Sequence, residues 1–313
     1  MFRKKIFLLL GFLLIFIPRH SFAIGTGSSV CNGLEFEQIA NARAAAMAGS
    51  VSAMSGDINF MHFNPAGIAS LKKPEVGFNY MISPISLVGS ENMYFANIAV
   101  AQPFIGGNLG ISFSYFNAGT MDLSGTAISS QNISALTDLV FALSYAFRTG
   151  QHIYLGISYK MILSIFAEQY SANAQGVDCG IIYKTPIKGF DVGLAATNFG
   201  TPLVYNTVEE NLPTKIKTGC SYNYVFTKEL NASFNVELNY LVAETDYTTS
   251  FGTEFSYMDF IFIRMGYMIA TQDTGLYFGG GVNLNNYYID YAYEPPQVFS
   301  SFANQRIGLK IRF

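Results

Sequence analysis

The sequence contains no tryptophan, only three histidines and only three cysteines in 313 residues, and just 12% of its residues are charged. Each shortage excludes something. Cys31, Cys179 and Cys220, an odd number with no CxxC spacing, make neither a zinc site nor a disulfide framework. The lack of a basic patch argues against nucleic-acid binding. Half of the residues are hydrophobic, yet past Ile17 no uninterrupted apolar run approaches about 18 residues, so membrane-crossing helices are not expected. No fixed-period repeat is present, which removes a solenoid. No metal-spaced ligand set, phosphate loop or dinucleotide fingerprint occurs, so no metal or cofactor is expected. The apolarity must therefore be spread in short pieces.

What is present begins at the two ends. Arg3, Lys4 and Lys5 precede an apolar stretch, Ile6 to Ile17, that is too short to span a bilayer comfortably. Ser21-Phe22-Ala23 places small residues before a cleavage point, so residues 1–23 read as a signal peptide and the mature chain as starting near Ile24. A lipoprotein would need Cys31 as its first residue, but Val30 stands where a small residue is wanted. Losing Arg3, Lys4, Lys5 and Arg19 leaves 14 basic against 21 acidic residues, a net charge of −7. At the other end, Arg306 to Phe313 alternates without a fault. Ile307, Leu309, Ile311 and Phe313 share one face, and Arg306, Lys310 and Arg312 share the other. This ending, closed by Phe313, resembles the last strand of a bacterial outer-membrane β-barrel, read by the barrel-assembly machinery.

From about Pro74 onward the chain divides into fourteen segments of strand length, a tilted barrel strand needing roughly 9–11 residues to cross. They run approximately over 74–82, 92–102, 108–117, 137–148, 152–163, 175–184, 189–198, 214–225, 229–241, 247–256, 259–269, 274–282, 286–294 and 303–313. Ile153, Leu155, Ile157, Tyr159, Met161 and Leu163 interleave with His152, Tyr154, Gly156, Ser158 and Lys160; the first set would face lipid and the second a lumen. By the same parity Cys179 and Cys220 point outward from non-adjacent strands and are not expected to pair. The connections support the count. Even-numbered ones, such as Thr149–Gln151 and Asn283–Asn285, are short, as periplasmic turns should be. The longest odd-numbered ones are Ala118–Leu136, Ser164–Ala174 and Phe199–Pro213, while two odd-numbered ones, near Val242–Asp246 and Ala270–Asp273, are short. The fold class expected is therefore all-β: a 14-stranded antiparallel transmembrane barrel over 74–313, in the bacterial outer membrane. The rival, a soluble β-sandwich, would bury its apolar face between two sheets and would not explain the leader, the loop rhythm and the terminal Phe together.

Residues 24–73 do not alternate. Phe36 to Met47 is alanine-rich and favours a short helix, with Gly49 as its stop. A fourteen-stranded barrel is wider than the eight-stranded kind that side chains alone can fill, so this segment is expected to be a hatch, or plug, inside the lumen. Asn64-Pro65-Ala66-Gly67 reads as a tight turn that seats it: Pro65 biases Asn64 away from helix, and Gly67 permits close backbone approach. Asn41-Ala42-Arg43-Ala44-Ala45-Ala46-Met47-Ala48-Gly49, then Asp57, then Asn64-Pro65-Ala66-Gly67-Ile68-Ala69 resembles the N-terminal signature of the PorV/PorQ family, which is similar to the FadL-type long-chain fatty acid transporters. Ala46 and Ala48 replace glycines of that pattern, and Phe63 stands where Trp is common.

The resemblance implies a monomeric barrel closed by an N-terminal hatch. It implies passive uptake of a hydrophobic small molecule or, as the alternative, a component of a type IX-like protein secretion or surface-attachment system with secretion subunits as partners. A general-diffusion barrel is a third reading. Outer-membrane lipid is the expected surround. Asp138, Lys160, Asp178, Lys184, Lys215, Lys217, Glu237, Glu254, Arg264, Asp290, Arg306, Lys310 and Arg312 all take lumen parity and are expected to pair across strands and hold the plug. The wall read in this way is polar, so apolar ligand contacts are expected from Met47, Met54, Phe60, Met61 and Phe63 and from the long loops; the same five residues would also serve as the plug's own core. No enzyme is expected. His20 leaves with the leader, His62 lies in the plug, and His152, near Ser144 and Ser158 by strand position, reads as a wet interfacial histidine.

Overall fold

The computed structural model describes residues 41–83, 93–122, 132–271, 274–295 and 303–313. The leader, the mature start near Ile24, Cys31 and the first half of the expected helix lie outside the described residues. In chain order the strands are β1 (Glu75–Ser83), β2 (Met93–Phe104), β3 (Gly107–Asn117), β4 (Thr120–Asp122), β5 (Asn132–Ser134), β6 (Leu136–Thr149), β7 (Ile153–Phe166), β8 (Tyr170–Lys184) and β9 (Phe190–Gly200). Then come β10 (Leu203–Tyr205), β11 (Val208–Glu210), β12 (Lys215–Val225), β13 (Leu230–Leu241), β14 (Asp246–Tyr257), β15 (Ile261–Ala270), β16 (Thr274–Leu284), β17 (Tyr287–Glu294) and β18 (Asn304–Arg312). Fourteen of them close into one antiparallel barrel. The first and last strands pair from Glu75↔Arg312 to Ile82↔Gln305 and shut the wall. The sandwich is thereby excluded.

The other four strands make two short hairpins in the long connections, β4 with β5 and β10 with β11. The third long connection expected, Ser164–Ala174, is mostly strand. β7 and β8 run on to pair Phe166 with Tyr170. The small and polar run Ala172-Asn173-Ala174-Gln175 has the composition of a loop, but its pleat continues: Ala172 and Ala174 are buried inside, and Asn173 and Gln175 are exposed outside.

Period-two alternation sorts the two faces. Ile157, Ile263 and Ile307 are each more than half exposed on the outside, whereas Ser158, Arg264 and Gly308, their neighbours, are buried inside. Cys179 is exposed, Cys220 partly so, and neither is bonded; β9 separates their strands. The outward apolar side chains form a continuous band. Soluble monomers rarely leave more than a few hundred Å² of contiguous apolar patch in water, so this surface demands an apolar surround.

Residues 41–71 lie inside the barrel. They form a helical turn (Ala42–Ala45) and two 3₁₀ turns (Ile58–His62 and Pro65–Ser70). Each begins with a side-chain cap: Asn41 accepts from the Ala44 amide, Asp57 from Asn59 and Asn64 from Ala66. Gly49, at φ 76°, takes the left-handed conformation just after the first turn, where glycine carries no Cβ penalty.

Candidate functional site

The lumen is organised around this inner segment, and three kinds of contact hold it. The first is close backbone approach. Gly156 and Gly180 face each other across β7 and β8, and Gly252 and Gly266 across β14 and β15. A Cβ on Gly156 would overlap the backbone of Pro65 and Ala66, and one on Gly266 that of Met47 and Ala48. Glycine is the residue that lets backbone lie directly on the wall here. These pairs are not among the expected site residues, although lumen parity plus glycine on adjacent strands is a legible signal.

The second contact is a set of hydrogen bonds between segment and strands. The Asn64 side chain caps its own turn with Oδ1, 3.0 Å from the Ala66 amide. Its Nδ2 donates to the carbonyls of Ser52 at 2.7 Å and, in the wall, of Ile181 at 3.2 Å. Ser52 N donates to Glu237 at 2.8 Å, and Ile58 N to Glu75 at 3.0 Å. Asn79 donates from β1 to Asn59 at 2.9 Å.

The third is a chain of alternating charges. Lys310 pairs with Asp57, Asp57 with Arg43 at 2.7 Å, Arg43 with Glu254 at 2.7 Å, Glu254 with Arg264, and Arg264 with Asp290 at 2.6 Å. Two of its members come from the segment and four from the wall. Burial alone would raise the Asp57 carboxyl, but the Lys310 ammonium and the Arg43 guanidinium outweigh it and hold the group well below the usual carboxylate range. Elsewhere the wall pairs with itself: Lys160 with Asp178 at 2.9 Å, Lys184 with Asp191 at 2.6 Å, Arg306 with Glu294 at 2.6 Å. Arg43, Arg264, Lys310 and Arg312 border a cavity of about 350 Å³ with Phe262, Tyr288 and, from the short turns, Asp259. Its polar lining suits charged or hydrated species and disfavours an apolar one.

Of the five apolar candidates, Met47, Met54, Phe60 and Phe63 pack together with Ala44 and Val51. Met61 packs with Ile58, Ile68 and Leu71 against Ala99, Ala101 and Ala146 of the wall. All five are buried. Lys217 and Arg43 lie over the rings of Phe63 and Phe60 at 4.9 and 5.1 Å.

A wholly polar wall is the expectation from the sequence, and the structure corrects it. Under the long loops, lumen-facing Met81, Met93, Phe95 and Phe116 form one apolar cluster with Leu136. Val140 and Ile162 form another with Leu203 and Leu212, which fold in from the β9–β12 connection. Parity carried to the strand ends shows this too, since Phe95 shares a face with Asn97 and Met81 with Asn79. Buried charges stand among them on the same strands, Asp138 beside Val140, Lys160 beside Ile162 and Arg306 opposite Met81, and mask the clusters in the sequence.

Among the described residues the two histidines lie apart from the serines named with them. His152 is exposed at the rim with Nδ1 2.9 Å from the Lys184 carbonyl, while the Ser144 and Ser158 hydroxyls are buried and 2.6 Å from each other. His62 is buried in the inner segment.

Solved structures with the same fold include the toluene transporter TodX of Pseudomonas putida, 12% identical with a TM-score of 0.63 over 86% of this chain and 97% of that one. The toluene transporter TbuX of Ralstonia pickettii is 15% identical with a TM-score of 0.60 over 86% and 97%. A FadL homologue of Pseudomonas aeruginosa is 11% identical with a TM-score of 0.54 over 87% and 98%. No curated protein matches the sequence. Residues 28–248, which take in the inner segment and more than half of the strands, match the family described as "Type IX secretion system protein PorV". Because that match spans more than two thirds of the chain, the segment with its Asn64-Pro65-Ala66-Gly67 turn included, the chain belongs to the PorV family.

Proposed function

We propose that the protein is a passive transporter of hydrophobic compounds in the bacterial outer membrane, with residues 24–73 as a hatch inside a barrel formed by 74–313. The observation that carries the reading is the apolar lumen under the long loops: Met81, Met93, Phe95 and Phe116 on one side, Val140, Ile162, Leu203 and Leu212 on the other. An apolar solute enters there from outside and stops at the inner segment, whose far side is charged. Passage then requires the segment to shift or the wall to part. The toluene transporters among the structural neighbours support a small, apolar cargo, and long-chain fatty acids are the other class to test.

Purified protein soaked with toluene or with fatty acids of graded chain length should retain ligand by mass spectrometry. Absence across both classes would sink the reading. Replacing Phe95 and Phe116 together by asparagine should weaken retention at least about tenfold, because burying each ring stabilises by roughly 1.5–3 kcal/mol.

The family match is compatible with a second reading, a barrel that docks secretion-system subunits. Stoichiometric protein partners in pull-downs from native membranes, without an uptake defect on deletion, would select it. Phe313 serves either role as a sorting residue. Its amide donates to the Pro74 carbonyl at 3.0 Å and its side chain is 61% exposed. Deleting it should lower the yield of assembled barrel in cells several-fold while leaving refolding in detergent intact, as heat-modifiable gel mobility would report.

A further inference from the structure

The exposed charges are sorted by rim. Among the described residues the exposed cations are Lys72, Lys73, Arg148, Lys188 and Lys228, and every one lies at the short-turn rim. Lys72 and Lys73 precede β1, Arg148 ends β6, Lys188 lies between β8 and β9, and Lys228 between β12 and β13. Exposed acids at that rim are Glu229 and Asp259. The long-loop rim has the opposite sign. Glu168 and Glu209 are exposed there and Glu210, Glu244 and Asp246 partly so, while Lys215 is half-buried with lumen parity.

Apolar tips interleave with the cations. Ile105, Ile187, Phe226 and Met258 stand at the turns and are 80%, 64%, 50% and 63% exposed. Two of them occupy left-handed backbone, Ile105 at φ 37° and Met258 at φ 55°. A β-branched residue there is unfavourable, and exposure of this degree means that little packing within the chain offsets it. Asn285 and Asn286 show the cheaper choice at another short turn.

We propose that the short-turn rim binds the anionic phosphate headgroups of glycerophospholipids in the leaflet that borders it. Each tip enters the boundary between headgroups and acyl chains, and the neighbouring ammonium or guanidinium group reaches a phosphate. The Ile187-Lys188 pair and the Phe226 to Lys228 run are the units of this surface. The tips are spread around the rim on separate hairpins and continue the outward apolar band. That ring fits the annulus of lipid around a barrel, whereas a protein partner would favour a compact central cluster. The acidic long-loop rim offers the same headgroups no attraction.

The proposal rests on the membrane placement above and is independent of transport. The test uses the full chain reconstituted in vesicles of phosphatidylethanolamine mixed with phosphatidylglycerol, then extracted in mild detergent for native mass spectrometry. The wild type should retain phosphatidylglycerol several-fold above its share in the mixture, and high salt should reduce the excess. Arg148→Gln, Lys188→Gln and Lys228→Gln should each lower the excess, by up to roughly fivefold per cation for a group near an anionic leaflet. Glu209→Gln and Glu244→Gln should not. Ile105→Asn should relieve the turn backbone and still lower retention, a combination that mere destabilisation cannot give. No preference between the two lipids, a preference unaltered by the three cation variants, or a tightly held protein in place of the lipid would overturn the proposal. A chain that enters no vesicle would sink it together with the membrane reading, while insertion without preference sinks it alone.

Discussion

Asp57→Asn should release the inner segment from a barrel that stays closed. The carboxylate faces Lys310 in the last strand and Arg43 in the segment, and its other oxygen caps the turn at Asn59, 3.0 Å away. Removing one partner of a buried ion pair typically costs about 3–5 kcal/mol, because the opposite charges are left uncompensated. Here two cations lose their shared anion. Arg43 keeps Glu254, whereas Lys310 is left against the face of Tyr288, 4.4 Å away. The wall does not depend on this carboxylate, since strand pairing from Glu75↔Arg312 to Ile82↔Gln305 is backbone work. The variant should therefore run as a folded, heat-modifiable barrel, expose protease sites between 41 and 73, and conduct ions in planar bilayers where the parent does not. Unchanged protection and conductance would show that the charge chain does not hold the segment. The pH dependence follows from the same geometry. A depressed carboxyl stabilises fully above its ordinary value of 3.8, and the contribution is lost only as pH falls from there towards the lower native value. The hold that Asp57 exerts on the segment should thus fade only below about pH 4, which proteolysis between 41 and 73 as a function of pH would report for the parent against Asp57→Asn.

The second large effect is steric. Gly266→Leu, or Gly156→Val on the opposite side, places a side chain where segment backbone already lies. Overpacking usually costs about 1–3 kcal/mol, and a clash with backbone offers no rotamer to escape into. The segment must move, so conductance and proteolysis should rise as for Asp57→Asn. Thr253→Leu is the control. It neighbours Gly252 in β14 but points outward and should leave both readouts unchanged. If the glycine variants are silent as well, the segment does not seat as described.

Much of this architecture is legible without coordinates. Strand boundaries read from alternation agree within one or two residues at most ends, as at Ile153, Lys184 and Val225. The reason is that a wall between lipid and lumen imposes one apolar and one polar side on every strand, so the pattern is strong. It fails where that contrast weakens. Around Ala172-Asn173-Ala174-Gln175 the outward residues are polar and the inward ones small, so a strand carries the composition of a loop. It also misleads about the lumen, because the inward charges dominate the pattern and hide inward Met81, Phe95 and Phe116. Arg43, Asp57 and Asn64 are conspicuous in the segment, yet nothing local names their partners.

The sequence by itself determined the strand count, the side to which each residue points and the leading segment that does not alternate. All three are short-range properties, set by a side-chain period of two and by turn chemistry. Only the tertiary structure decided which groups meet across the lumen. Arg43 reaches Glu254 over 211 positions and Lys310 reaches Asp57 over 253. Those partners are selected by the stagger and closure of fourteen strands around a folded segment, a geometry to which every strand contributes and which no single stretch of chain encodes.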